Sequence, residues 1–281
     1  MRIGMALSGG GVRSAAQLGI AQVLLEHGIQ PDIYVGTSGG AIVAALLAVG
    51  YTPQNALDVY KKTSSVQDLA YWEILRSVFT PEKIQGLYKG QKLETQLESA
   101  LGLYSAKSTL AFVATNVING TQVIFTNEPS IDPAKINDDH IEVLPLTTGK
   151  LSELVAASCR MPGIFIPKKL GGRVLVDGGV VNNLPSDLAW AAGAEKVISC
   201  DLGYAGEVVQ VGGAFSILKH SLDIVSERNV DRNVADFGIY LNPAIFDVTV
   251  LEVRRADECF QRGYEYGLKN IDHVLDYISE G

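Results

Sequence analysis

Apolar residues open the chain in short unbroken runs, separated by stretches in which they recur at helical spacing. Residues 2–8 (RIGMALS) form one such run and end in Gly9-Gly10-Gly11. The following AAQLGIAQVLLEHG carries its apolar side chains three and four apart, which predicts a helix stopped by Gly28. IYVGTS is a second short apolar run, and it leads into the Ala-rich GGAIVAALLAVG. Two strand-helix units in the first fifty residues, with strands apolar on both faces, predict a mostly parallel central sheet flanked by helices, a three-layer α/β fold.

The pattern then changes. Residues 53–102 are more charged, and PQNALDVYKKTSSV, YWEILRSVF and GQKLETQLESALG all show helical periodicity, so this stretch reads as a helical cap or pocket-lining layer. Sheet resumes at residues 110–126, a predicted hairpin about Asn119-Gly120. Further on, LSELVAASCRM reads as a helix, GGRVLVDGG as a strand entering a glycine turn, PSDLAWAAGA as a helix and EKVISCDLG as another buried strand. Neither a repeat nor a linker interrupts the chain, and residues 1–281 are expected to form one domain.

Composition narrows the function classes. A net charge of −8, with no basic cluster, argues against nucleic acid as a partner. Cys159, Cys200 and Cys259 are odd in number and far apart, which fits a reducing, cytoplasmic compartment and gives no metal spacing. The longest apolar run, Ala41 to Val49, is too short to cross a bilayer, so any membrane contact is expected to be peripheral. Oligomeric state is left open.

Candidate chemistry lies at the strand-to-helix turns. Gly36-Thr37-Ser38-Gly39-Gly40 is a G-x-S-x-G pattern between a predicted strand and a predicted helix, the setting of a nucleophile elbow. Gly36 and Gly40 leave room for the tight turn, and the new helix aims its unpaired N–H groups at Ser38. Gly9, Gly10, Gly11 and Arg13 occupy the other such turn. Consecutive glycines expose backbone N–H groups, and with Arg13 they make a candidate oxyanion hole; a dinucleotide fingerprint fits less well, because Ser14 stands where its last glycine belongs. Asp177-Gly178-Gly179 ends an apolar strand, which makes Asp177 a candidate base. The four histidines, His27, His140, His220 and His273, all lie away from such strand ends.

Taken in order, G-G-G-x-R, G-T-S-G-G and D-G-G resemble the signature of patatin-like phospholipases. PDIYVGTSGGAIVAALLA, AASCRMPGIFIP and LVDGGVVNNLP are similar to the family's segments around those motifs, and DFGIYLNP and CFQRGYEYG to its closing region. The resemblance implies a Ser-Asp dyad hydrolase of lipid esters, with Ser38 as nucleophile, Asp177 as base, and Gly9, Gly10, Gly11 and Arg13 holding the tetrahedral intermediate. It implies no cofactor and no metal. Two positions depart from the pattern: Gly39, where the family often has Ala, and Ser14, where it often has Gly. Two rivals stay beside this reading, a histidine-triad esterase on small soluble esters and a non-catalytic lipid-binding regulator. GLYSAKST lacks the glycines of a phosphate-binding loop, and Asp138-Asp139-His140 reads as a solvated loop.

Overall fold

In the computed structural model, residues 1–64, 86–102, 107–203, 212–233, 238–250 and 252–280 are described. The two opening units form as their patterns predict. β1 (Ile3–Leu7) and β2 (Ile33–Thr37) are buried along their whole length, and α1 (Ala15–Glu26) and α2 (Gly39–Ala48) follow them. Gly28 ends α1 in the left-handed region at φ 77°, which lets the Ile29 N–H return to the Leu24 carbonyl at 2.8 Å.

The region at 53–102 contributes α3 (Pro53–Ser64), a three-residue strand β3 (Gly86–Tyr88) and α4 (Gln91–Leu101). It is therefore not wholly helical. β3 forms by parallel pairing with β7 (Gly163–Phe165), a partner far away in sequence that leaves no local periodicity to read. The YWEILRSVF stretch lies outside the described residues.

The main sheet is built around β4 (Thr109–Asn116). β2 pairs with it in parallel, and the predicted hairpin returns as antiparallel β5 (Thr121–Thr126), with Gly120 at φ 74° in the turn. β6 (Ile141–Pro145) extends this edge in parallel. On the other side β1 pairs in parallel with β10 (Lys196–Cys200), and β10 with β11 (Ile239–Leu241). β8 (Lys168–Leu170) and β9 (Arg173–Asp177) form an antiparallel pair, and β9 also runs antiparallel to the end of β4.

Alternation along each strand explains why whole strands are apolar. Met5, Leu7, Tyr34, Phe112 and Phe125 face one buried cluster with α1, α2 and α3, while Ala6, Ile33, Val35, Val113 and Ile124 face a second with α6 (Ser186–Ala191). Each fully buried Phe contributes roughly 1.5–3 kcal/mol. α5 (Leu151–Ser158) packs on β4 and β9, and α7 (Ala214–Asn233) lies against the turn that follows β9. The long α8 (Ala256–Ser279) lays a narrow stripe, including Cys259, Phe260 and Ile271, on the first cluster. Among the described residues, no helix is long and apolar enough to cross a membrane.

Candidate active site

β4 decides which residues meet. Thr37, the last residue of β2, stands opposite Val113, and Asp177, the last residue of β9, stands opposite the next residue, Ala114. Because β2 runs parallel to β4 and β9 antiparallel, their C-terminal ends point at each other along one edge. Residues 139 apart in sequence are thereby brought into contact: Ser38 Oγ donates to Asp177 Oδ2 at 2.6 Å.

Ser38 sits in the turn between β2 and α2 with φ 55° and ψ −122°, a backbone conformation that costs a non-glycine residue of order 1–3 kcal/mol. Its neighbours hold it there. The Ser38 N–H donates to Ser158 Oγ at 2.9 Å, and Ser158 Oγ in turn donates to the Val113 carbonyl at 2.6 Å. Cys159 Sγ donates to the Ser38 carbonyl at 3.2 Å, and Thr37 Oγ1 to the Asn182 carbonyl at 2.8 Å. The turn closes on bare backbone: a Cβ on Gly36 would lie 2.4 Å from the Gly40 carbonyl oxygen, and one on Gly40 2.3 Å from that of Leu7.

Asp177 is 6% exposed. Burial pushes its carboxyl up from an ordinary 3.8 to about 6, against the opposing pull of the hydrogen bonds from Ser38 and from the Gly179 N–H, the latter at 2.9 Å. Above that pH it is a carboxylate held against a hydroxyl, a base within reach of its proton. Three histidines, His27, His140 and His273, are exposed, and the half-buried His220 lies 3.7 Å from Asp223. Among the described residues, none lines the cleft around Ser38. His140 belongs to an exposed turn in which its N–H donates to Asp138 Oδ1 at 2.8 Å.

The glycine loop after β1 lies against the elbow, and its backbone N–H groups differ in what they do. Gly9 donates to the Asn183 carbonyl at 3.1 Å, Val12 to the Val250 carbonyl at 3.0 Å and Arg13 to the Gly10 carbonyl at 3.2 Å. Among the described residues, the N–H groups of Gly10 and Gly11 have no such backbone acceptor. The Arg13 guanidinium is held below its usual pKa by burial, opposed by the negative charges of Asp223, Asp201 and Glu227.

Sequence reasoning missed several of these supports. Ser158 and Arg160 were visible only as part of AASCRM, and Cys159 there and as one of three scattered cysteines. Arg160 is buried, accepts the Asp177 N–H on its carbonyl at 2.9 Å, and reaches Glu94 and the Lys89 carbonyl with its guanidinium. It thus ties the strand bearing Asp177 to the start of α4.

The two departures from the family pattern meet in space. A Cβ on Gly39 would lie 2.5 Å from Ser14 Oγ, 2.8 Å from Tyr60 Oη and 2.9 Å from the Gly11 carbonyl oxygen. Ser14 is fully buried, and its hydroxyl makes the shortest of these three contacts. Gly39→Ala alone is expected to destabilise the fold by about 1–3 kcal/mol, as overpacking does, and adding Ser14→Gly to recover part of that loss. Denaturant melts of the four proteins in this cycle measure the coupling, and simple additivity would refute it.

Ser38 and Asp177 stand where two lobes of one cleft join. One lobe is apolar, with Ile42, Tyr60, Leu93, Ile164 and Phe165 in its wall. The other is polar, with Arg13, Asn183, Asp223, Ser226 and Glu227. Residues of α3, β3 and α4 thus line the apolar lobe.

A family model described as patatin-like phospholipase matches residues 5–190. Patatin-like phospholipase domain-containing protein 7 of Rattus norvegicus is 26% identical over 306 residues, covering 96% of this chain and 20% of that protein. Lysophospholipase NTE1 of Saccharomyces cerevisiae is 23% identical over 311 residues, covering 98% of this chain and 17% of that protein. This chain therefore spans a fifth or less of either relative. The crystal structure of VipD from Legionella pneumophila is similar in fold, with a TM-score of 0.52 at 16% identity over 97% of this chain and 67% of that one.

Proposed function

Because the chain belongs to the patatin-like phospholipase family, we propose that it is a lipid acyl hydrolase, of phospholipase A or lysophospholipase type, working through Ser38 and Asp177. The observation that carries this reading is the 2.6 Å hydrogen bond from a serine in a strained elbow to a buried carboxylate. In the proposed reaction Ser38 Oγ attacks the acyl carbonyl carbon while Asp177 takes the hydroxyl proton. The Gly10 and Gly11 N–H groups receive the oxyanion, and the half-buried Arg13 adds positive charge nearby. Asp177 returns the proton to the departing alcohol oxygen. A water then attacks the acyl-enzyme, giving its proton to Asp177, and Ser38 leaves with that proton as the free acid forms.

The apolar lobe is assigned to the fatty-acyl chain and the polar lobe to the alcohol portion. Residues 1–281 are read as one catalytic domain, since α8 packs on α1 and the cleft draws on residues from Gly9 to Val253. Contact with a lipid surface is part of the proposal and would be peripheral.

The test is fatty-acid release from phospholipid and lysophospholipid micelles, together with mass-spectrometric mapping of a fluorophosphonate adduct. The adduct is expected on Ser38. Since the base must be ionised, kcat/KM is expected to rise roughly tenfold per pH unit below about 6 and to level off above it. A protein that neither releases fatty acid nor takes up the probe would be the non-catalytic regulator, and loss of turnover on replacing a histidine would restore the triad reading.

A further inference from the structure

Three consecutive glycines are a poor scaffold for a preorganised donor pair, because each gives the chain more backbone freedom than any other residue. The loop therefore needs holding from outside. At its start the Gly9 N–H is fixed on the Asn183 carbonyl at 3.1 Å. At its end the peptide joining Gly11 to Val12 is gripped on both sides: its N–H donates to the Val250 carbonyl at 3.0 Å, and its carbonyl accepts from Tyr60 Oη at 2.5 Å. Gly11 itself is at φ 54°, and a Cβ there would lie 2.4 Å from the Val250 carbonyl oxygen. The two open N–H groups, of Gly10 and Gly11, hang between these clamps.

Tyr60 comes from α3, outside the sheet and outside every motif that marked the site. It is 1% exposed. Its hydroxyl also lies against Gly39, the residue after Ser38, at 2.8 Å from where a Cβ would stand, and its side chain lines the apolar lobe. One hydroxyl thus bonds the loop and lies close to the elbow.

We propose that Tyr60 is a positioning residue for the oxyanion hole: its hydroxyl fixes the Gly11 carbonyl so that the Gly10 and Gly11 N–H groups are aimed at the acyl oxygen. This inference rests on the function proposed above. Tyr60 acts through the backbone of Gly11 and not on the substrate. Its ring meanwhile forms part of the wall against which an acyl chain would lie. Loss of the hydroxyl alone should therefore affect the transition state and leave ground-state binding unchanged.

Tyr60→Phe keeps the ring and removes the donor. Expected is a fall in kcat of roughly 10- to 100-fold with KM within about twofold, the scale on which a misplaced catalytic group acts. The rate of inactivation by a fluorophosphonate, whose adduct mimics the tetrahedral intermediate, should fall in parallel. Incorporating 4-aminophenylalanine at position 60 restores an N–H donor and is expected to recover most of kcat, which also covers the case in which Tyr60→Phe does not fold. A kcat within twofold of wild type, a rise in KM at unchanged kcat, or a folded 4-aminophenylalanine protein with no recovery would each overturn the proposal. Wild-type protein without Ser38-dependent turnover would instead overturn the hydrolase reading, and this assignment with it.

Discussion

Ser38→Ala is expected to lower turnover of a chromogenic acyl ester by roughly 10 000-fold or more, with the melting temperature close to that of wild type. The size of the effect follows from the lack of a substitute. Thr37 Oγ1 is engaged with the Asn182 carbonyl at 2.8 Å and points into the sheet end, and Ser158 Oγ is engaged with the Val113 carbonyl at 2.6 Å. Cys159 also lies beside the elbow, yet its thiol is pushed well up by burial and by the nearby Asp177 charge, so it is not available as a thiolate. A water activated by Asp177 would lack the covalent intermediate and the geometry set by φ 55° at position 38. Because Ser38 and Asp177 act as one unit, the double variant with Asp177→Asn should be no slower than the worse single variant. Retention of more than about 1% of wild-type kcat/KM in folded Ser38→Ala would contradict the assignment.

Ser38 and Asp177 were legible in the sequence for a local reason. Ser38 follows one apolar strand and Asp177 ends another, each at a glycine turn, and both the strand and the turn are written in adjacent residues. Their contact was not legible, because it depends on the register of two strands against the third: Thr37 opposite Val113 and Asp177 opposite Ala114. The division of labour among the loop amides was equally hidden. Gly9 and Arg13 look like Gly10 and Gly11 in the motif, but the N–H groups of the first two are taken by carbonyls, that of Gly9 by one more than 170 residues downstream. Tyr60 carried no signal at all, being one aromatic residue on a charged helix.

At the level of fold, unbroken apolar runs gave the parallel strands, and Asn119-Gly120 gave the hairpin. The stretches around His220 and His273 read as helical and partly charged, and they form α7 and α8. In α8 the residues that touch the core include the small Ala256, Cys259, Gly263 and Gly267, where backbones approach closely, beside Phe260, Ile271 and Val274. Likewise, Ser14 and Gly39 read as two independent departures until the structure placed the hydroxyl of one in the space beside the other.

Asp177→Asn is expected to lower kcat by roughly 1000-fold or more and, at neutral pH, to make the protein more stable. The loss of activity follows from removing the base, since an amide cannot accept the Ser38 proton. The gain in stability follows from the sign of the pKa displacement. In the folded protein the Asp177 carboxyl titrates near about 6, and its ordinary value is 3.8, so the native state holds this proton more tightly than the unfolded chain does. Its ionisation therefore costs nothing below pH ~4. The cost grows as pH rises towards 6, and levels off above it at about 3 kcal/mol. Asparagine carries no charge to desolvate. It can accept the Gly179 N–H on Oδ1 and donate from Nδ2 to Ser38 Oγ, so both hydrogen bonds of the site keep partners. The melting temperature of Asp177→Asn should exceed that of wild type by about 5–10 °C at pH 8, and the difference should shrink to nothing near pH 4. Equal stability at both pH values would show that the carboxylate is not held against its solvation, and a more stable variant with undiminished turnover would remove Asp177 from the reaction.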